Sequence, residues 1–223
     1  MPRERYQDSL DELRSDVLAM GDQVVEQFER SLEAVEHRDE SLARSVAEGD
    51  DAVNETYLRL EDRCVDLFAL QQPVAGDLRF VTASFKIITD LERIGDLAVN
   101  LADYLRTASR TLSPEVQLDA IGEAARSLVE RSLAAYEAED AAACREVAAD
   151  DDEVDALCQR ASESVTRDLI AGFDGDGWEV ERLLDDVSRV LLTIRDLERV
   201  ADHAVNIAAR TLYMIEGDPE LLY

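Results

Sequence analysis

Between Leu10 and Val35 the apolar side chains fall at Leu10, Leu13, Val17, Met20, Val24, Phe28, Leu32 and Val35, every third or fourth position. That spacing is one face of an amphipathic helix, and Asp8 or Ser9 stands where a capping side chain would start it. The polar run His37 to Ser41 breaks the stripe. A second stripe follows through Val46, Val53, Tyr57, Leu60, Cys64 and Leu67 and ends near Pro73 and Gly76, which punctuate the chain. The pattern predicts a third helix from about Asp77, carrying Val81, Phe85, Ile88, Leu91, Ile94, Ala98, Leu101 and Leu105. It stops at Thr111 to Glu115, where Ser113 and Pro114 suit the cap and first position of a new helix.

The second half repeats the plan. Helices are expected from about Pro114 to Tyr136, from about Asp140 to Ala171, and from about Trp178 to Ile215, with Trp178 anchoring the start of the last. The glycine-rich Phe173 to Gly177 makes the turn before it. No segment alternates as a strand would, so the fold class is all-α. The halves also match in letters. Shifted by 101 positions, Glu29 to Asn54 agrees with Glu130 to Asp155 at thirteen of 26 places. DLERIGDLAVNLA (Asp90 to Ala102) agrees with DLERVADHAVNIA (Asp196 to Ala208) at nine of thirteen. Such self-similarity implies two tandem three-helix bundles, residues 1–112 and 113–223, whose short connections make neighbouring helices antiparallel.

Composition changes the picture through charge. The chain has 51 Asp and Glu against 23 Lys and Arg, a net −28, and Lys86 is its only lysine. A surface so acidic repels nucleic acid, because phosphate binding depends on basic contacts that release counterions. Lysine-poor, acid-rich usage also resembles that of proteins from a salt-adapted cytoplasm, where carboxylates keep the surface hydrated. Three cysteines without a C-x-x-C pair argue for inert thiols over a disulfide framework. The charged N-terminal segment lacks an apolar signal core, and no apolar run approaches eighteen residues, so a cytoplasmic protein without membrane insertion is expected.

The candidate chemistry lies in the repeated segment. On a helix, residues four apart share a face, so Glu92, Asp96 and Asn100 line up in the first copy and Glu198, Asp202 and Asn206 in the second. The core stripe runs beside them, as Leu91, Ile94, Ala98 and Leu101, and as Leu197, Val200, Ala204 and Ile207. Two carboxylates one turn apart repel unless something neutralises them. Two readings stand: a salt-bridged face served by Arg93 and Arg199, or a cation held by hard oxygen ligands that suit divalent or iron-type metals. His203 follows Asp202 and points about 100° away from it, so it need not join the same site, and a lone helical histidine is more often packed or exposed than a ligand.

DLERIGD with its trailing Asn100, the second copy DLERVAD with Asn206, the LQQPVAGDLR turn (Leu70 to Arg79) and the 3 + 3 duplication together resemble the PhoU family of phosphate-uptake regulators. The resemblance covers nearly the whole chain. It implies two pseudo-symmetric three-helix bundles, often in a homodimer, that restrain phosphate uptake and phosphate-starvation signalling. The implied partners are the high-affinity phosphate ABC transporter, at its ATPase subunit, and signalling proteins such as a sensor histidine kinase. It also implies metal at E-x-x-x-D motifs, which map onto Glu92 and Asp96 and onto Glu198 and Asp202. The second copy departs from the first: Ala201 replaces Gly95, His203 replaces Leu97, and the QQPVAGDLR turn is missing.

No nucleophile–base pair, phosphate-cradling glycine loop or H-E-x-x-H motif supports an enzyme, and no catalytic residue is assigned. The alternatives to a regulator are a carboxylate metal-binding or storage protein and a plain helical scaffold. A ferritin-type centre needs Glu-x-x-His pairs, and neither His37 nor His203 follows a Glu at that spacing.

Overall fold

The structure is a computed structural model and describes residues 2–70, 75–107, 117–171 and 177–221. Six helices follow in order: α1 (Pro2–His37), α2 (Glu40–Leu70), α3 (Ala75–Thr107), α4 (Leu118–Ala138), α5 (Ala141–Ala171) and α6 (Gly177–Glu216). No strand occurs among the described residues. The expected breaks at Pro73 and at Thr111 to Glu115, the boundary between residues 112 and 113, and the turn at residues 172–176 lie outside the described residues, as do the side chains of Leu105 and Trp178.

Most positions of the stripes read from periodicity are buried in the core, whereas Leu32, Val35, Tyr57 and Phe85 are only half-buried. Leu10, Leu13, Val17, Met20, Val24 and Phe28 of α1 are buried, and so are Val46, Val53, Leu60, Cys64 and Leu67 of α2. Two starts differ from the sequence expectation. α1 begins near Pro2 and runs through Asp8 and Ser9, because Tyr6 extends its buried stripe and Ser9 Oγ bonds back to the Arg5 carbonyl (2.9 Å) within the helix. α4 begins at Leu118, where burial of Leu118, Ile121 and Ala125 begins. Gln117 before it has a non-helical backbone (φ −80°, ψ 64°), so a helix running on from Pro114 is interrupted there.

The α1–α2 and α4–α5 turns are copies of each other. Arg38 and Glu139 take left-handed conformations (φ 54° and 50°). Asp39 N and Asp140 N then donate to the Ala34 and Ala135 carbonyls, both at 3.0 Å. Asp39 Oδ1 accepts from the amides of Ser41 and Leu42, and Asp140 Oδ1 from those of Ala142 and Ala143. Each aspartate thus satisfies amides that the first helical turn leaves unpaired. Replacing Asp39 or Asp140 with Ala is expected to cost about 1 kcal/mol each. Thermal melts followed by circular dichroism would show a fall of about 2–4 °C per substitution.

Each half is a three-helix bundle, α1–α2–α3 and α4–α5–α6, and the two halves share one continuous hydrophobic core. α1 lies antiparallel to α4, and α3 antiparallel to α6, as the cross-links Arg14 to Tyr136, His203 to Asp90 and Tyr104 to Asp196 require. Among the described helices α2 packs on α1 and α3 alone, and α5 on α4 and α6 alone, so these two flank a central group of four. At one end Arg14 lies over the stacked rings of Phe80 and Tyr136 (4.9 and 5.4 Å to the centroids). It also donates to the Tyr136 carbonyl (2.9 Å) and pairs with Glu139. Tyr136 Oη shares a buried hydrogen bond with Ser84 Oγ at 2.7 Å, so one cluster ties α1, α3 and α4 together.

Candidate functional site

The repeated segment sits on α3 and α6. Leu91, Ile94, Ala98 and Leu101, and Leu197, Val200, Ala204 and Ile207, are essentially fully buried, as their stripe requires. That rotation sets Glu92 and Glu198 half-buried at the margin of the core and leaves Asp96 and Asp202 exposed beside them. Asn100 and Asn206 continue the line one turn further, exposed and half-buried respectively.

Each pair is completed by the middle helix of its own bundle, so the two motif copies build two sites. In the first, α2 supplies Asp50 and Asn54. Asn54 Nδ2 donates to Asp50 Oδ2 (2.9 Å), and Gln27 of α1 donates through Nε2 to Asp50 Oδ1 (3.3 Å) and the Val46 carbonyl (3.5 Å). Burial raises the Glu92 carboxyl above its ordinary range, and the charges of Asp96 and Asp50 push it further, against Arg93 and His203. Asp96 is raised by burial and by Asp50, against Arg199.

The second site has four carboxylates, Asp151 and Asp155 of α5 facing Glu198 and Asp202 of α6. Asp151 is pushed up to about 6, first by burial and then by Asp155, Asp202, Asp152 and Glu198. Glu198 is raised by burial, Asp155 and Asp202, and Asp202 by burial and Asp155, with His203 and Arg199 opposing. Like charges crowded together favour whatever positive charge can reach them.

Sequence reasoning singled out Glu92, Asp96, Glu198 and Asp202 and passed over Asp50, Asn54, Asp151 and Asp155. A signal for them was present. Asp50 and Asn54 are four apart, Asp151 and Asp155 repeat that spacing at a shift of 101, and both pairs lie in or at the end of the stretch that established the duplication.

Whether these residues suit a metal is a question of donors. All are hard oxygens, and two are orphaned: Asp151 Oδ1 and Gln27 Oε1 are buried with no hydrogen-bond partner. Hard, anionic, under-satisfied oxygens on facing helices fit a divalent or iron-type cation. Among the described residues no group of three or more His, Cys, Asp or Glu side chains stands close enough together to hold a metal ion as it is placed. An ion would therefore gather the carboxylates by rotamer changes, for which the exposed Asp96 and Asp202 have room.

The first residue of each motif copy does different work. Asp90 accepts or shares a 2.9 Å hydrogen bond with buried His203 Nδ1 of the other half. Asp196 accepts from Tyr104 Oη (3.0 Å) and from Arg199 (3.3 Å). His203 thus packs across the α3–α6 seam, turned from the carboxylate stripe as its 100° offset implies. The three cysteines are free and buried. Burial pushes Cys64 and Cys158 up to about 12 and Cys144 up to about 11, which removes thiolate reactivity near neutral pH. No described helix is long and apolar enough to cross a membrane.

Two three-helix bundles in tandem, each with a cluster of acidic side chains between its second and third helices, define the class of helical protein to which this chain belongs. The PhoU domain family model matches residues 17–105 and 118–211, one copy per bundle, and the chain belongs to the PhoU family. A curated relative, the phosphate-specific transport system accessory protein PhoU homolog of Clostridium acetobutylicum, is 31% identical over 220 residues, 97% of each chain. The crystal structure of PhoU from Pseudomonas aeruginosa superposes with a TM-score of 0.82 at 31% identity, covering 96% of this chain and 100% of that one. The phosphate transport system regulatory protein PhoU of Streptococcus pneumoniae gives a TM-score of 0.85 at 27% identity, covering 96% and 98%.

Proposed function

We propose that this protein is a non-enzymatic negative regulator of high-affinity phosphate uptake and phosphate-starvation signalling. It acts from the cytoplasmic side, as a homodimer, by contact with the ATPase subunit of the phosphate ABC transporter and with signalling partners. Cations held at Glu92 and Asp96, with Asp50, and at Glu198 and Asp202, with Asp151 and Asp155, brace the two bundles. The observation that supports the role in phosphate-transport regulation is similarity over 97% of both chains to a protein named as accessory to phosphate transport, with the family model matched once in each half.

Such a regulator works by presenting a surface, so the chemistry required of its side chains is to fix that surface. A cation between α2 and α3, or between α5 and α6, would bind each outer helix to the central four. In a cleft of like charges, it would also replace repulsion with attraction.

Deleting the gene is expected to raise phosphate uptake in phosphate-replete medium several-fold, and the wild-type gene on a plasmid should restore repression. Uptake as low in the deletion strain as in its parent would sink the regulatory reading. A plasmid carrying Glu92→Gln, Asp96→Asn, Glu198→Gln and Asp202→Asn separates the metal component: repression should be impaired, and the purified variant should hold less metal than the wild type at equal helicity.

A further inference from the structure

The two sites are not copies, and the difference is concentrated at a single place. Gln27 of α1 is 7% exposed and reaches in under α3. Its Nε2 faces two acceptors, Asp50 Oδ1 and the Val46 carbonyl, which fixes the amide orientation because the flipped form would set oxygen against oxygen. Oε1 is then directed at the backbone of Gly95, between Glu92 and Asp96, and has no partner there. A Cβ on Gly95 would lie 3.2 Å from Gln27 Oε1, 3.3 Å from Val53 Cγ1 and 3.9 Å from Asp50 Oδ1, so the amide and carboxylate oxygens flank the same gap together with a valine methyl.

The second bundle shows what the same positions look like without this arrangement. Shifted by 101, Gln27 falls on Leu128, and shifted by 106, Gly95 falls on Ala201. Both are buried and apolar. The first bundle therefore gives up two apolar side chains and keeps a buried amide oxygen unsatisfied, an arrangement that costs about 1–3 kcal/mol unless something occupies the lone pairs.

We propose that Gln27 Oε1 is a ligand of the first site, making it a centre of three carboxylates and two amides. The second site stays a centre of four carboxylates. This deepens the metal component of the function proposed above and rests on it. The ligand class is a hard divalent cation, for which amide carbonyls are ordinary ligands. With one fewer negative charge and a donor anchored on α1, the first site ties all three helices of its bundle together, whereas the second ties only α5 to α6.

The test uses full-length protein carrying Glu198→Gln and Asp202→Asn, so that the first site is read alone, with Mn²⁺ as probe in isothermal titration. Gln27→Leu with Gly95→Ala, which copies the second bundle, should weaken Mn²⁺ binding about tenfold or more, the scale typical of losing a supporting group at a metal centre. Metal-free helicity and melting temperature should be kept or raised. Gln27→Met with Gly95 retained gives the same reading with less repacking. Gln27→Glu keeps an oxygen but loses the donor to Asp50; it should hold or tighten Mn²⁺ if Oε1 is a ligand and weaken it if Gln27 only props Asp50. Unchanged Mn²⁺ affinity in the Leu/Ala and Met variants, with binding abolished by Glu92→Gln and Asp96→Asn, would overturn the role of Gln27 and leave the metal site standing. Absence of Mn²⁺ binding in the parent, or binding indifferent to Glu92 and Asp96, would remove both.

Discussion

Gly21→Leu is expected to destabilise the protein by about 2–3 kcal/mol, the upper range of overpacking in a close-packed core. The melting temperature should fall by roughly 5–10 °C for a chain of this size. A Cβ built on Gly21 would already lie 2.7 Å from Leu133 Cδ1, so α1 and α4 meet with a leucine of one half seated on a glycine of the other. The contact occurs twice. Gly122 is Gly21 shifted by 101 positions, Leu133 is Leu32 shifted likewise, and a Cβ on Gly122 would lie 2.6 Å from Leu32 Cδ2. A methyl alone meets only the end of a flexible side chain, which can swing aside while the helix gains about 1 kcal/mol over glycine. Alanine at either position should therefore be nearly neutral. Leucine has nowhere to put its remaining carbons, so the bundles must separate or Leu133 must leave its rotamer. The double variant Gly21→Leu with Leu133→Ala should recover more than 1 kcal/mol of the summed single losses, a coupling typical of residues in direct contact. Strictly additive losses would mean that the clash is relieved elsewhere.

This seam illustrates what the sequence could disclose. Periodicity showed which face of each helix is apolar, and all eight positions of the motif stripes are buried accordingly. It could not show what each face meets. An apolar stripe on α1 packs as well on α3 as on α4, and the glycine–leucine pairs that choose the partner are single residues without a period of their own. Helix starts failed where a local signal was outweighed. Asp8 and Ser9 are good caps in isolation, yet burial of Tyr6 carries α1 past them. At the site, Glu92, Asp96, Glu198 and Asp202 stood out because they sit inside a segment written twice. Asp50 and Asp151 have the same four-residue rhythm, but among 51 acidic residues it is camouflage, and only the facing of α2 on α3 and of α5 on α6 distinguishes them. Gln27 gave no signal at all. Its significance lies in an unpaired oxygen over Gly95, a relation across 68 positions of chain that no local pattern encodes.

Asp151→Asn should stabilise the metal-free protein at pH 7 while weakening its hold on a cation, and the two effects should separate with pH. Asp151 is raised to about 6 by burial and by the neighbouring carboxylates, whereas in the unfolded chain an aspartate releases its proton near about 3.9. Between those values the folded protein binds the extra proton, so this residue's contribution to stability is fully present below pH ~4 and is lost as pH rises through about 6. At pH 7 the ionised carboxylate is a liability. Because Asp151 is only partly shielded from water, the cost is on the order of 1 kcal/mol, less than the shift alone would give. The asparagine variant should accordingly melt about 2–4 °C higher than the wild type at pH 7 in the presence of a chelator, and the difference should vanish near pH 4, where both side chains are neutral. Adding Mn²⁺ at pH 7 reverses the order. The wild type offers four carboxylates and gains stability by mass action as the ion fills the site, while the variant offers three and gains less. Lowering the pH to 5 should blunt the wild-type gain, since binding must then expel a proton. A variant that melts no higher than the wild type in chelator would show that the cluster carries no strain for a cation to relieve. Equal Mn²⁺ stabilisation of both proteins would place the bound ion away from α5. The two results bear on different claims, the first on the electrostatics of the cleft and the second on its use.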